Sequence, residues 1–340
     1  MSKVDMNQNS TIFIERVKRK RVLFITTKNI DYIRNTQEIR ILKNNAESVE
    51  ILHSSKRKYI SRIFEIWFKL LFKSLREIDT VFIGFSPQLV LPFFKWRLRR
   101  KDIIIDFFIS VYDTLIHDRK KFKDNGIAAK LCHEIDSVTL KSADYVITDT
   151  NVDARYFIEE FQSDKDKFET LYLEADQSIY YPREQHKRQD LKNKFVVLYF
   201  GSILPLQGVD VVLDTVRLLK DEKDMFFQII GPIPKKYSKP IQENVEYIDW
   251  LSQEELAEHI ANADLCLAGH FNGEIDKAKR TIPGKAYIYS VMKKKIILGD
   301  NLANRELYTK NEENVSFVEM GNAKSLAEKI IINTKMKSYS

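Results

Sequence analysis

The sequence predicts an α/β protein of two Rossmann-like domains facing across a cleft. Short β-branched and aromatic runs alternate with helix-patterned segments through the first half of the 340 residues. A polar, lysine-rich stretch, residues 176–194, then breaks the pattern around Pro182, and at Phe195 the alternation starts again. Strand–helix–strand succession at this pace marks parallel βαβ units, and two such arrays around a polar break read as two domains, each able to bury its own core. The expected boundaries are a first domain at 1–180, a linker at 181–194 and a second domain at 195–335.

Composition narrows the function classes. The net charge of +7 is moderate and comes without a basic stripe on an aromatic platform, so nucleic acid is not an expected partner. Cys132 and Cys266 lie far apart in sequence, which gives neither a disulfide framework nor a CxxC site and fits a reducing compartment. The six histidines show no HxxxH or HxH spacing, so no metal is expected. Residues 1–20 are polar and charged, with no apolar core of a leader, and no apolar run reaches the length of a spanning helix. A cytoplasmic protein is expected.

Taken in order, RVLFIT (21–26) forms a buried first strand behind a basic tail. Residues 32–44 place Ile33, Ile39 and Leu42 at helical spacing, and 49–52 return to strand character. No GxGxxG separates strand from helix, so the dinucleotide fingerprint is missing; residues 27–29 and 34–36 are assigned to that loop. From Lys56 to Arg76, the residues Arg62, Glu65, Lys69, Lys73 and Arg76 step by three or four, giving one mostly basic face among apolar and aromatic ones. Such a helix either lies in a membrane interface or packs on the sheet with its long cations snorkelling at the edges. A second basic cluster, from Lys95 to Lys101, surrounds Trp96. Two patches on one domain point to an anionic membrane surface or a lipid phosphate.

Residues 81–85 and 103–107 read as further strands. The segment after the second, 106–119, is rich in groups that bind hydroxyls and lies beyond a strand's carboxyl end, where open α/β sheets bind ligands. Asp113 and Asp118 are candidates for accepting hydroxyl bonds or moving a proton, with Arg119 pairing one of them. The competing reading is helix capping by Ser110 or Asp113 plus a surface ion pair. Residues 127–140 are helical in pattern, 144–148 form a strand, and Asp149-Thr150 caps a helix over 151–161.

In the second half, strand 195–200 ends in Gly201-Ser202, followed by PLQG (205–208) and an apolar helix over 209–219. Strand 225–230 ends in Gly231, residues 244–248 lead to Asp249-Trp250-Leu251, and Ser252 with Glu255 forms a capping box. Strand 264–268 precedes the stretch that organises the rest, 276–306. There Lys277, Lys279, Arg280 and Lys285 surround a Pro283-Gly284 turn that feeds a helix, with a further apolar run at 296–298. A basic loop at a helix N-terminus is an anion site; read alone, it is equally a solvated surface loop.

Four segments carry a resemblance: YFGSILPLQGVDVVLDTVRLL (199–219), FFQIIG (226–231), VEYIDWLSQEELAEHIANADLCL (245–267) and AKRTIPGKAYIYSVMKKKIILGDNLANREL (278–307). In order and spacing they resemble the nucleotide-sugar-binding half of the retaining GT-B glycosyltransferases of family four. The first half matches more loosely, through IIIDFFISVYDTLIHDRKK and SADYVITDT. The resemblance implies transfer of a sugar from a nucleoside diphosphate donor, with retained anomeric configuration and no bound cofactor or metal. Where the family carries an Arg after the strand glycine and a Lys before the helix glycine, this chain has Ser202 and Gln207; where its Glu-x7-Glu motif would fall, it has Arg280 and Ile288. The pattern is that of a divergent branch in which Arg280 and Lys285 supply the missing cations.

On that resemblance the donor diphosphate lies against Gly201, Ser202, Gln207 and Gly208, with Gly231 and Pro283 beside it. Trp250 and Leu251 sit near the base, and Glu306 substitutes for the ribose contact. The first domain brings a glycan or lipid-linked acceptor to Asp113, Asp118 and Arg119. A Lys/Ile/Asn-heavy composition leans towards bacterial surface polysaccharide assembly at the inner membrane face. Two alternatives are a nucleotide-sugar-binding partner subunit without activity and a nucleotide-sugar epimerase of the same architecture.

Overall fold

The computed structural model describes residues 11–309 and 313–338; the first ten residues of the amino-terminal stretch read above lie outside them. The chain divides between Glu174 and Ala175 into two units, each built on its own six-stranded sheet.

In the first unit the elements are α1 (Thr11–Val17), β1 (Arg21–Ile25), α2 (Ile33–Asn45), β2 (Ser48–Leu52), α3 (Tyr59–Phe72), β3 (Thr80–Ile83), α4 (Leu91–Leu98), β4 (Asp102–Asp106), α5 (Ile127–Ser142), β5 (Tyr145–Thr148), α6 (Asn151–Phe161) and β6 (Phe168–Thr170). All strands pair in parallel in the order β2-β1-β3-β4-β5-β6. Every residue of β3 (TVFI) and β5 (YVIT) is buried, as central strands covered on both faces require. Alternation along β1 divides the core: Leu23 and Ile25 pack with Ile66, Leu70 and Phe157 on one face, while Val22 and Phe24 pack with Phe13 and Leu42 on the other.

The second unit holds β7 (Phe195–Phe200), α7 (Val209–Leu218), β8 (Met225–Ile230), β9 (Val245–Ile248), α8 (Gln253–Asn262), β10 (Leu265–Gly269), α9 (Asp276–Arg280), α10 (Gly284–Val291), β11 (Ile296–Gly299), α11 (Asn304–Leu307), β12 (Val315–Val318) and α12 (Ala323–Ser338). The strand order is β12-β11-β10-β7-β8-β9, again parallel. Val197, Val212, Phe227, Leu267, Ile297 and Leu326 share one core. The capping box of α8 is formed: Ser252 Oγ accepts from Glu255 N–H at 3.2 Å, and the Glu255 carboxylate accepts from Ser252 N–H at 2.9 Å.

Two sequence expectations are corrected. Residues 34–36 are not loop but the first turn of α2, and burial explains why: Arg34 is drawn inward by a bidentate pair to Asp106, at 2.9 and 3.0 Å, and also donates to the Leu171 carbonyl. Arg62 does not face solvent on α3; it is buried and donates to the Lys56 carbonyl at 2.9 Å. Residues 181–194, expected as a linker, contact the second unit, where Lys187 pairs with Asp264 and Gln185 donates to the Ala263 carbonyl at 3.0 Å. Helix α1 and the three-residue β6 lie where no periodicity announces them.

Arg34 also lies 3.4 Å from Glu38, which is fully buried with both carboxylate oxygens lacking a hydrogen-bond partner. Burial, then the neighbouring Asp106, push the Glu38 carboxyl well above its ordinary range, so the folded chain holds this proton to higher pH than the unfolded one. Because the folded chain then keeps a proton that the unfolded chain sheds near pH 4.5, stability from this group falls as pH rises above that value. Arg34→Ala should cost about 3–5 kcal/mol by stranding a buried carboxylate. Glu38→Gln should stay within about 1 kcal/mol of the parent at pH 7.5 and flatten the pH slope. Urea melts at pH 5 and 7.5 check both; equal losses in the two variants would refute the protonated assignment.

Candidate functional site

Strand order decides where a crevice opens. In the second sheet β7 lies between β8 and β10, so the chain builds to one side of β7 and then returns to the other. Ligands in open parallel sheets bind beyond the strand ends at this switch point. The turns leaving β7, β8 and β10 meet there.

Two glycines permit the approach. A Cβ on Gly231 (φ +134°) would stand 2.0 Å from the Gly201 carbonyl oxygen, and one on Gly208 (φ +65°) would stand 2.6 Å from the Phe271 carbonyl carbon. The turn at Pro205–Gln207 is tied to the loop after β10 by Phe271 N–H donating to the Gln207 carbonyl at 3.2 Å. Gly208 opens α7, so the helix presents its unpaired N–H groups and positive dipole end at this turn. Ile203, between Gly201 and the turn, is held at φ +55°, a costly conformation for a β-branched residue that only a constrained loop sustains.

Into this turn projects the side chain of Lys285, from the first turn of α10. It is 5 % exposed, and its ammonium stands 3.9 Å from the centre of the Tyr199 ring. A Cβ on Gly201 would lie 3.1 Å from Lys285 Nζ and 2.6 Å from Gln207 Oε1, which places both side chains against that glycine. Tyr199 Oη donates to Gln207 Oε1 at 3.2 Å. Lys285 Nζ has no hydrogen-bond partner among the described residues, and burial lowers its pKa from 10.5 to about 7. His270, also buried with Nδ1 unpartnered, is held neutral, its pKa lowered to about 3 by burial and by Lys285 and Lys277. A buried ammonium without a hydrogen-bond partner, glycines that let backbone approach, and a helix N-terminus together make a setting suited to an anion.

The remaining residues expected at the donor site fall as follows. Arg280 ends α9 and is buried; α9 packs on the turn through Ala278 and Ile275 against Leu206. Pro283 is buried ahead of α10 and accepts from Ala286 N–H at 2.8 Å. Asn301 anchors the same segment, donating to the Ala278 carbonyl at 3.1 Å. Ser202 is exposed, Glu306 sits half-buried on α11, Leu251 is half-buried, and Trp250 is 81 % exposed after β9. Ile288, where a motif carboxylate would fall, is buried.

In the first unit, Asp113 is buried and Asp118 half-buried at the two ends of a π-helical turn, with Arg119 exposed just beyond. Ser110 Oγ accepts from Asp113 N–H at 2.9 Å, so the capping reading holds for Ser110. The residue that sequence reading missed is Asp136. Fully buried on α5, its carboxylate accepts from Ser110 Oγ at 2.7 Å, Tyr112 N–H at 2.8 Å, Gln88 Nε2 at 2.9 Å and Val111 N–H at 3.1 Å, and so fixes the loop after β4. Its position inside an ordinary helical pattern gives no signal. Among the described residues no cluster of three or more His, Cys, Asp or Glu could hold a metal ion.

No family model matches the chain. It is 22 % identical over 213 residues to an uncharacterized 41.2 kDa protein in the cps region of Klebsiella pneumoniae, covering 61 % of this chain and 58 % of that protein. Among solved structures it resembles sucrose-phosphate synthase from Thermosynechococcus elongatus, with TM-score 0.65 and 11 % identity over 93 % of this chain and 90 % of that one. It also resembles HepE from Anabaena in complex with UDP and glucose, with TM-score 0.61, 14 % identity and coverage of 93 % and 90 %. A glycosyltransferase from Rickettsia africae gives TM-score 0.60 at 13 % identity, covering 94 % and 89 %. The fold is that of the GT-B glycosyltransferases.

A buried, unpaired ammonium opposes folding. Between pH 7 and 10.5 the unfolded chain carries a proton that the folded chain has shed, so this group's contribution rises with pH across that window, and its full penalty applies below it. At about 1.4 kcal/mol per unit the penalty is several kcal/mol, partly offset by the Tyr199 ring. Lys285→Met should therefore stabilise the ligand-free protein by roughly 2–3 kcal/mol at pH 6, and by less at pH 9. Chemical denaturation at the two pH values measures it; a destabilised variant at pH 6 would show that Lys285 is satisfied in the native state.

Proposed function

We propose that the protein is a glycosyltransferase that takes a sugar from a nucleoside diphosphate donor and passes it, with retained configuration, to a glycan or lipid-linked acceptor. The observation that carries this reading is the unpartnered, buried Lys285 ammonium beside Gly201 and the start of α7. A diphosphate is the ligand whose charge and oxygen geometry complete that set: backbone N–H groups of the α7 end for one phosphate, Lys285 for another. Structures of the same fold, HepE among them, hold UDP and UDP-glucose. The cps-region relative supports a setting in bacterial surface polysaccharide synthesis.

In this reading Lys285 and Arg280 stabilise the charge that develops on the departing diphosphate. Fixed cations of this kind act in a water-poor site without reorganising, each worth about 3–4 kcal/mol in the transition state. The neutral His270 adds no charge but has a ring nitrogen free to bond a donor hydroxyl. Trp250 offers an exposed ring on which a base can stack, and Glu306 is assigned to the ribose. The first unit, with Asp113, Asp118 and Arg119, is assigned to the acceptor. Retention proceeds by front-face displacement: the acceptor oxygen forms the new glycosidic bond as the old bond to phosphate breaks, and the leaving phosphate takes the acceptor's proton. The buried Ile288 favours one competing reading, a donor-binding partner subunit that does not catalyse transfer.

Calorimetry with UDP, GDP, dTDP and CMP tests the site. One diphosphate should bind, and Lys285→Ala and Arg280→Ala should each weaken it about 10- to 100-fold, as lost charge-assisted bonds do. Because a bound anion restores the ammonium, binding above pH 7 should take up a proton, so affinity falls with rising pH and the measured heat depends on the buffer. Binding unaffected in both variants would discard the assignment. Binding without transfer or hydrolysis across an acceptor screen would favour the partner reading.

A further inference from the structure

Helix α3 is apolar on two sides. Its inner side seats Ile66 and Leu70 in the core, while Phe64, Phe68 and Phe72, spaced one turn apart, point to solvent beside Ile60. Phe68 and Phe72 are 66 % and 70 % exposed and lie 4.8 Å apart, centre to centre. The surface continues onto α4. Trp67 bridges the helices, 5.8 Å from Phe64 and 4.7 Å from Phe93, and Trp96 follows Phe93 three residues on, 61 % exposed. Arg97 locks the pair by donating to the Leu70 carbonyl at 2.9 Å and to the Lys73 carbonyl. A contiguous aromatic surface on two rigidly joined helices differs in kind from the scattered single residues of an ordinary exterior.

Its rim is basic. Arg57 and Lys58 stand exposed ahead of α3, Arg76 beyond its end, and Lys95, Arg99 and Arg100 on and after α4. The only carboxylate on α3, Glu65, is neutralised by Lys69 at 2.6 Å and held by Ser54 at 2.7 Å; Glu50 is paired with Lys73, which leaves Glu77 as the exposed acid beside Arg76. A second copy of this chain would set one basic rim against another. An anionic bilayer matches both features: aromatic rings enter the headgroup boundary and the cations meet lipid phosphates.

We infer that the α3–α4 face of the first unit docks on an anionic lipid bilayer, with Phe64, Phe68, Phe72, Phe93 and Trp96 inserted and the surrounding Lys and Arg held at the headgroups. Of the basic stripe expected from sequence only Arg76 joins this rim, since Arg62, Lys69 and Lys73 are occupied within the protein. None of these residues belongs to the anion pocket of the second unit.

Vesicle flotation tests the inference on the full chain, using phosphatidylcholine alone and with about 30 mol % phosphatidylglycerol. The protein should float with the anionic vesicles only, and less so at high salt. Phe64→Ser with Phe68→Ser should reduce partitioning by about 30-fold or more, and Arg99→Glu with Arg100→Glu by about 10-fold. All four side chains are exposed, so the variants keep their cores. Brominated lipid should quench tryptophan emission in the parent but much less in Trp96→Phe. No flotation with anionic vesicles would overturn the inference. So would a dimer, seen by sedimentation, that the Phe64/Phe68 variant abolishes.

Discussion

Burial of the Lys285 ammonium without a partner is the constraint around which the second unit is arranged. A charge in that position costs stability unless something supplies the opposite sign, so the surrounding structure must be rigid enough to hold it there. The rigidity is visible in its neighbours. Gly231 is pressed so closely on the Gly201 carbonyl that it tolerates no side chain, Gly208 is wedged against Phe271, and Asn301 pins α9 ahead of α10. Tyr199, fully buried beneath the ammonium, gives the cation an aromatic face and nothing more. A helix end and an amine held in fixed positions are the elements by which preorganised sites stabilise charge at little reorganisation cost.

The two units treat buried charge in opposite ways. Arg34 in the first is surrounded by acceptors: Asp106 in two-point contact and the Leu171 and Thr148 carbonyls, with Glu38 nearby. Asp136 is saturated likewise, with four donors on one carboxylate. Groups so fully satisfied have nothing left to offer a ligand; they tie helices α2 and α5 to the strand ends. Lys285 and His270 retain their bonding capacity. Satisfaction, more than burial, separates the two kinds of buried charge in this molecule.

Much of the fold was legible because parallel strands buried on both faces announce themselves: TVFI and FVVLYF admit no other reading once helices flank them. The capping box at Ser252 and Glu255 was equally plain, its chemistry being local. What stayed hidden depends on partners far apart in sequence. Nothing in the sequence says that Arg34 will meet Asp106, so residues 34–36 read as loop, and Asp136 is indistinguishable from a surface acid on its helix. For α3 the periodicity was sound, but the sequence left open which apolar side is buried, because a wide aromatic face beside a basic one does not declare its packing. The basic character of 276–285 pointed to an anion; that Lys285 among its cations lies buried against Gly201 required the three-dimensional arrangement.

The strand order of the second sheet also sets a schedule. Strands β7, β8 and β9 add in sequence to one edge, and β10 must then come back to the other side of β7 before β11 and β12 can extend it. During synthesis the ribosome releases β7 and its Gly201 turn long before β10 and α10 arrive, so half of the pocket waits for roughly the length of a supersecondary unit. Until then the β7 edge is an unpaired template, and the growing chain is at its most vulnerable to mispairing. Any ligand that binds only the finished unit pulls the folding reaction to completion by mass action.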